Sequence, residues 1–409
     1  MRMIETDVLV IGGGPAGALL FCLLARRGLR ATLVERETTA ERSFRGETIA
    51  ARSVVTLREL GFGPALAKHG FVELTGISFW ENGERIVRAD YRSFPIDALP
   101  IDIPQPALIE AFLAAAGGAP RCEVMRATTF LSLVEEDGVV RGAMLKTRDG
   151  ETLEARGRLV VGADGRFSRT RKASGLEATI TPMERDFLWF KLPRPVDWGS
   201  EAQLVVERDR HLVILPTFPD LLRVGFNLPK RGFEEIRKRG IDAFRSDIAA
   251  LDPRLAKLVA AHIQGWQDTS FLEIFTAELR EWARDGLVLI GDSSHTATPI
   301  LGQGVNLAIQ DAVLLAPAIA AALSRTANDV VRAAELAEFV AKRRAHKSMV
   351  TRFQRAQETS LAESSPLGTW LRRARLRALD LFPLKYRLLD RVLNAPHDMP
   401  REAIHVGAV

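Results

Sequence analysis

Five clusters of residues in this chain have the types and spacing for chemistry on a bound nucleotide. Gly12-Gly13-Gly14-Pro15-Ala16-Gly17 is a glycine-rich turn, and Glu35 with Arg36 follows it at the end of a second apolar run. Gly12 permits a tight turn, Gly14 lets backbone approach a pyrophosphate, and Gly17 lets a helix pack closely on a strand. A helix starting at Pro15 offers unpaired N–H groups and a positive dipole end to phosphates. Glu35 is placed to accept hydrogen bonds from both hydroxyls of an unphosphorylated adenosine ribose, as in FAD or NAD. Arg45, in the turn Arg45-Gly46-Glu47, is placed to reach back to the same ligand. Asp164-Gly165 and Gly291-Asp292 each put an acid at the end of a buried run, where sugar or ribityl hydroxyls are received. Pro299 and Gly302-Gln303-Gly304-Val305-Asn306 form a turn before a long helix, suited to an anionic phosphate or a reduced flavin ring.

The elements needed to position these groups are all legible. Asp7–Ile11 is a short buried strand, Ala18–Arg27 a strong helix former, and Ala31–Val34 a second strand. Strand, glycine turn, helix, strand and acid together make the dinucleotide-binding βαβ fingerprint in its required context. A signal peptide or membrane span over residues 8–25 is excluded because glycines and a proline interrupt the run and only Arg2 is basic nearby. Each Asp-Gly or Gly-Asp taken singly is an ordinary turn; all of them in this order at strand ends point to one ligand.

Elsewhere the period changes to two. Ile77–Trp80 and Arg85–Ala89 flank Asn82-Gly83 as a hairpin, with further hairpins at Asp137-Gly138 and Asp149-Gly150. A helix is expected from Ala107 to Ala116. Four short strands between residues 186 and 228 argue for an antiparallel sheet. A helical region follows over Phe233–Ala261, then a strand at Gly286–Ile290, a long helix from Val305, and helices from Ala333 onward.

The chain has 409 residues, 47% hydrophobic and 26% charged, the balance of an ordinary globular protein. No stretch is expected to span a bilayer. Its two cysteines, Cys22 and Cys122, form no CxxC pair, which argues against a dithiol relay and fits a reducing, cytoplasmic setting. The net charge is +5. Between Trp370 and Leu393 there are seven basic residues (Arg372, Arg373, Arg375, Arg377, Lys385, Arg387, Arg391) against Asp380 and Asp390, a difference equal to the whole net charge. The remainder is near neutral, so no nucleic-acid partner is expected. The histidines lack ligand spacing, and no metal site is expected. His295, though it follows Gly291-Asp292, reads as a structural residue or one on the flavin side rather than a catalytic base. Pro383 cuts the basic tail, which is expected to pack on its own protein rather than on a membrane. A monomer or homodimer is expected.

These motifs, over residues 5 to 325, resemble those of the class A flavin monooxygenases, the aromatic-hydroxylase family typified by p-hydroxybenzoate hydroxylase. The resemblance implies bound FAD, NADPH or NADH as co-substrate, and insertion of one atom of O2, through a flavin C4a-hydroperoxide, into an aromatic or polycyclic small molecule. It implies an α/β fold: a Rossmann-like FAD-binding domain with an inserted antiparallel substrate sheet and a helical C-terminus. The segments expected are 1–72, 95–181 and 277–332 for FAD, 73–94 and 182–276 for substrate, and 333–409 for the helical region. Residue by residue, it places Gly12, Gly14 and Gly17 on the pyrophosphate, with Pro15 and Ala16 between them, Glu35 on the ribose, and Arg45 on FAD. Asp164 matches an acid serving both FAD and NAD(P)H, Asp292 the acid on the ribityl–phosphate part, and Pro299 with Gly302–Asn306 the isoalloxazine loop. Many members carry an arginine where this chain has Gln105, so that contact is expected to be uncharged. Phe79, Trp189, Phe190, Phe218 and Phe226 are candidates for the substrate lining. No catalytic acid or base is marked. Rival readings are an FAD-dependent reductase or dehydrogenase, a halogenase (whose Trp-x-Trp-x-Ile-Pro signature is missing), and a flavin-binding module without turnover.

Overall fold

The computed structural model describes residues 2–40, 47–326 and 329–393. Strand β1 (Arg2–Ile11) leads through the glycine turn into helix α1 (Pro15–Arg26) and strand β2 (Ala31–Val34). Gly12 has φ +108°, and a Cβ on Gly17 would lie 1.9 Å from the Gly12 carbonyl oxygen, so both positions exclude any larger residue. Nearly every residue of α1 from Ala16 to Ala25 is buried. It is apolar all round because it lies in the middle of the molecule, with layers on both sides.

A hairpin follows, β3 (Gly76–Glu81) and β4 (Glu84–Asp90), closed by Asn82 (φ 52°) and Gly83 (φ 78°). Helix α2 (Gln105–Ala115) packs on α1 and starts two residues earlier than expected, with Pro106 in its first turn, where no N–H is needed. Strand β5 (Thr152–Gly162) returns to pair in parallel with β1, Arg2 opposite Leu153 and Ile11 opposite Gly162. Helix α3 (Arg169–Ser174) and strands β6 (Ala178–Pro182), β7 (Arg185–Pro193), β8 (Glu201–Glu207), β9 (Arg210–Thr217) and β10 (Leu221–Pro229) come next. After three short helices between Phe233 and His262 come β11 (Phe275–Leu279), β12 (Leu287–Leu289) and β13 (His295–Thr296). Four helices complete the described chain: α4 (Gln303–Arg325), α5 (Ala337–Ala362), α6 (Pro366–Leu381) and α7 (Lys385–Leu393).

The larger sheet has eight strands, with a parallel core ordered β12, β5, β1, β2 and Cys122–Met125. The other main sheet has seven strands, ordered Ser270–Leu272, β7, β10, β9, β8, β3, β4. All its pairings are antiparallel except β8 with β3, which is parallel. The strands between residues 186 and 228 thus pair antiparallel, as expected, and the parallel junction joins them to the hairpin. The strands from Arg185 to Pro229 are joined by short turns that force antiparallel pairing, whereas β3 arrives from a distant segment and carries no such constraint. A three-stranded sheet, β6–β11–β13, crosses the segment borders expected at 181/182 and 276/277.

Helix α4 also departs from expectation. Together with the turn before it, Ile300–Arg325, it is long and apolar enough to cross a bilayer, but 72% of its most apolar window is buried inside the protein. It packs against α1, so its composition is that of a core helix. The basic tail folds back on the hairpin: Arg372 of α6 forms a buried 2.6 Å ion pair with Glu81, and Arg373 and Arg377 pair with Glu84.

Candidate active site

A single long cavity runs from the N-terminus of α1 to the inner face of the seven-stranded sheet. Its first half is lined by Gly14, Pro15, Ala16, Gln105, Gly165, Asp292 and the stretch from Ala297 to Gly302, with Gly304 and Val305 beyond. Two helix N-termini open on it. Neither α1 nor α4 has a side-chain cap, and neither carries an acid in its first turn, so their leading N–H groups are available to an anion. A Cβ at Gly165 or Gly304 would meet nothing within 4 Å, so these positions look onto open space. This arrangement fits a dinucleotide: anionic phosphates at the helix ends, hydroxyls near Asp292, and a flat ring along Pro299–Gly304.

The acids have different tasks. Asp292 lines the cavity, with Arg166 at 3.9 Å. Burial pushes the Arg166 guanidinium below its usual range, and Asp292 opposes that shift. Asp164 does not line the cavity. Its Oδ2 accepts the N–H groups of Arg169 (2.8 Å) and Thr170 (3.0 Å), and its Oδ1 accepts the Ser168 hydroxyl. It tethers the start of α3, and in this state both its oxygens are taken. Glu35 lies beyond the lining, where Oε2 accepts the Gly13 N–H at 2.7 Å and Oε1 the Glu37 N–H at 2.9 Å. Arg36 points to solvent and pairs with Glu37. Arg45 lies outside the described residues.

The loop before α4 is held from below. Asn306 accepts the Ala50 N–H (2.9 Å) and donates to the carbonyls of Thr48 (3.2 Å) and Gly302 (3.0 Å). Gln303 is buried and donates to the Leu301 carbonyl rather than facing the cavity. Leu301 and Gly302 both have positive φ, 60° and 61°, which bends the chain into the helix.

A further support was invisible to motif reading. Asp311 of α4, fully buried, accepts the Gly291 N–H at 2.7 Å, Arg343 Nε at 2.7 Å and Lys347 Nζ at 2.6 Å. Lys347 also donates to the Ser294 hydroxyl (3.2 Å) and sits over the Trp282 ring. Burial acts to raise the Asp311 carboxyl, but Lys347 and Arg343 outweigh it and hold it below the usual range. His295 lies on the far side of this turn, with Nε2 2.7 Å from the Thr351 hydroxyl; burial and then Lys347 push it down to about 3. It faces away from the cavity and serves structure.

The second half of the cavity is formed by the sheet. Phe187, Trp189, Leu204, Val213 and Leu215 give it an apolar wall, while Tyr91, Gln203, His211 and Arg223 add polar groups. Of the five aromatic residues expected here, Trp189 alone lines it. Phe190 and Phe226 point through the opposite face, into a core with Phe244 of the covering helices, because successive strand residues alternate sides. Phe79 packs with Ile86, Val206 and Leu361, and Phe218 lies against Gly70. Phe187 has the right parity and stacks with Trp189 at 5.7 Å. It was not among the candidates, although strand alternation counted from Trp189 is a signal that finds it. His211 is pushed down to about 3 by burial, then by Arg185 and Arg372, so it is neutral across the working pH range.

Arg223 joins the wall to the rest of the molecule. It pairs with the fully buried Asp102 at 3.1 Å, lies 3.7 Å from Glu47, and sits over the Trp189 ring at 5.3 Å. Glu47 also takes Lys191 (3.2 Å) and the Thr217 hydroxyl (3.2 Å). The two acids and two cations balance, which makes their burial tolerable.

The family described as FAD binding domain matches residues 5–354. Over 324 residues the chain is 37% identical to 6-methylpretetramide 4-monooxygenase of Streptomyces rimosus, covering 78% of this chain and 77% of that protein. Its fold is similar to Pseudomonas aeruginosa PqsL solved with 2-aminobenzoylacetate (TM-score 0.78, 24% identity, 91% of this chain and 99% of that one). It is also similar to p-nitrophenol 4-monooxygenase PnpA of Pseudomonas putida DLL-E4 (TM-score 0.79, 20% identity, both chains covered in full). With the cavity, the open helix ends and the glycine turn, these matches lead to one conclusion: the chain belongs to the FAD-binding family of class A monooxygenases and is an FAD-dependent oxidoreductase.

Proposed function

We propose that the protein hydroxylates a largely apolar aromatic or polycyclic compound, using O2 and electrons from NADPH or NADH. The observation that carries this reading is the continuity of the cavity, which joins the dinucleotide half to an apolar wall of Phe187, Trp189, Leu204 and Val213. The 37% identical relative, named as a 6-methylpretetramide 4-monooxygenase, supports a hydroxylase of this kind.

FAD, when bound, supplies the electron transfer and oxygen activation. The cavity-lining residues that would hold it are Gly14, Pro15, Ala16, Gln105, Gly165, Asp292, Pro299, Gly302, Gly304 and Val305, with Gly12, Gly17, Glu35 and Asn306 shaping the turns around them. Gly14 and the first N–H groups of α1 would bear the pyrophosphate, and Asp292 would receive hydroxyls. The N–H groups at the start of α4 would lie toward the flavin ring, where a helix N-terminus favours negative charge. The apolar wall excludes water from the reacting centre. His211, neutral and buried, exchanges a hydrogen bond with a substrate hydroxyl or carbonyl without itself titrating near pH 7. Trp189, braced by Arg223, sets the plane against which a flat substrate lies.

The test uses purified protein with its flavin spectrum recorded first. NAD(P)H and O2 consumption are then followed against a panel of phenols, quinolones and polycyclic aromatics. Coupled consumption with one compound, and a product heavier by one oxygen atom, supports the proposal. Flavin that is reduced but reoxidised only by an organic acceptor would make the protein a reductase instead.

A further inference from the structure

The face of the small sheet turned away from the candidate active site borders a second hollow. In the β6–β11–β13 register, Thr179 lies opposite Glu278, Thr181 opposite Thr276, and Glu278 opposite His295. Directly opposed residues share a face, so Thr179, Thr181, Glu278 and His295 project together, with Arg280 at the strand end, while Phe275 and Ala277 project the other way. Helix α5 stands over this face and contributes Arg344, Ser348 and Arg355 at helical spacing. Between sheet and helix is a cleft of about 340 Å³, within the usual range for small-ligand sites. No residue lining it also lines the long cavity.

Its charges do not cancel. Three arginines, Arg280, Arg344 and Arg355, face one carboxylate, Glu278, and His295 is neutral, leaving two positive charges uncompensated. Glu278 is already paired with Arg355 at 3.2 Å. Arg344 is anchored by one N–H to the Arg280 carbonyl, and Arg355 by Nη2 to the Thr276 hydroxyl at 2.7 Å. The Arg355 Nε is buried and has no hydrogen-bond partner among the described residues. The Arg280 guanidinium forms no ion pair or hydrogen bond within the described residues. Like charges gathered around a hollow repel one another until an anion arrives between them. Planar guanidinium donors with hydroxyls beside them match the oxygens of a phosphate, which accepts several such bonds at once.

We propose that this cleft binds a phosphate monoester, a dianion equal to its two uncompensated positive charges, carried on a small organic body such as a nucleoside. The volume exceeds what a bare phosphate fills, and Thr179, Thr181 and Ser348 supply hydroxyls for the attached sugar. The site stands apart from the flavin chemistry and does not depend on it.

The test is calorimetric binding to the FAD-loaded protein, with inorganic phosphate and adenosine 2′,5′-bisphosphate as separate probes. The expected result is saturable binding that weakens with salt and falls about tenfold or more in Arg280→Ala and in Arg344→Ala, the loss of one charge-assisted contact. Arg280→Lys, which keeps the charge, recovers part of the affinity. Flavin content, read from the visible spectrum, stays at the wild-type level in Arg280→Ala, which separates this cleft from the phosphate positions of the long cavity. Tighter binding of the bisphosphate identifies a nucleotide as the ligand, and equal affinity identifies phosphate itself. Absence of saturable binding by both probes, or unchanged affinity in Arg280→Ala, overturns the proposal.

Discussion

Replacing Asp311 by asparagine tests how the turn bearing Asp292 is held. In the native protein one carboxylate faces two cations, Arg343 and Lys347, with side-chain exposures of 0, 1 and 0%. Asparagine keeps the shape but leaves two cations buried with no anion, and removing one partner of a buried ion pair costs about 3–5 kcal/mol. Lys347→Met is the contrasting change. It deletes the Lys347 bonds to Asp311, the Ser294 hydroxyl and the Gly291 carbonyl, but it also removes the uncompensated positive charge and leaves Asp311 paired with Arg343 and the Gly291 N–H. Its net cost is therefore expected to be smaller than that of Asp311→Asn, helped by an unbranched apolar chain lying on Trp282. Urea unfolding of wild type and both variants measures the two costs. Asp311→Asn should also lose FAD more readily, because the Gly291 N–H loses a charged acceptor. If Lys347→Met is as destabilising as Asp311→Asn, charge balance is not what holds this turn, and the reasoning fails.

Other expectations follow from the same geometry. Gly17→Ala should abolish FAD retention or folding, since its Cβ would overlap the Gly12 carbonyl oxygen; a yellow, stable variant would contradict the turn described. Trp189→Ala should raise KM for the organic substrate about tenfold while substrate-free NAD(P)H oxidation changes little, and steady-state kinetics with each substrate varied separates the two. His211 and His295 have folded pKa values near 3, below the ordinary 6.5, so the unfolded chain binds more protons between those limits. Stability should fall as pH drops from 6.5 towards 3, by about 1.4 kcal/mol per pH unit for each histidine, and His211→Gln should flatten that slope. Glu358 behaves oppositely. Burial, then Glu184, raises its carboxyl to about 7, so its contribution is full below pH 4.5 and is lost as pH rises through 7. Glu358→Gln should therefore leave stability unchanged at pH 4 and increase it at pH 8, as measured by urea unfolding at the two pH values.

The parts of the site that depend on neighbours in sequence were legible from it. The turn from Gly12 to Gly17 and the loop from Pro299 to Asn306 are local devices, and their glycines announce the backbone they need. What depends on partners far along the chain was not. Arg343 and Lys347 belong to no motif, because the acid they surround lies on another helix. Asp164 reads as a ligand acid, yet Ser168, Arg169 and Thr170 take up its oxygens, a competition that composition does not reveal. Phe190 and Phe226 are aromatic and lie on the right strands, but a one-residue difference in parity sends them to the other side of the sheet. The parallel pairing of β8 with β3 was likewise hidden, since hairpin rules speak only for strands joined by a turn.

That parallel junction governs how the molecule can assemble. Gly76 must find Glu201, and Glu81 must find Val206, before the hairpin gains a neighbour on its inner edge. The hairpin then receives the last helices of the described chain, through the buried pair of Glu81 with Arg372 at its inner strand and the bond from the Asp90 N–H to the Tyr386 hydroxyl at its outer one. An early hairpin is thus gripped by a middle strand on one side and by late helices on the other. During synthesis it waits with an unpaired strand edge until both have emerged, a period of exposure to wrong partners. Fragments ending before Glu201 should accordingly aggregate, and the enzyme is better divided by point substitution than by truncation.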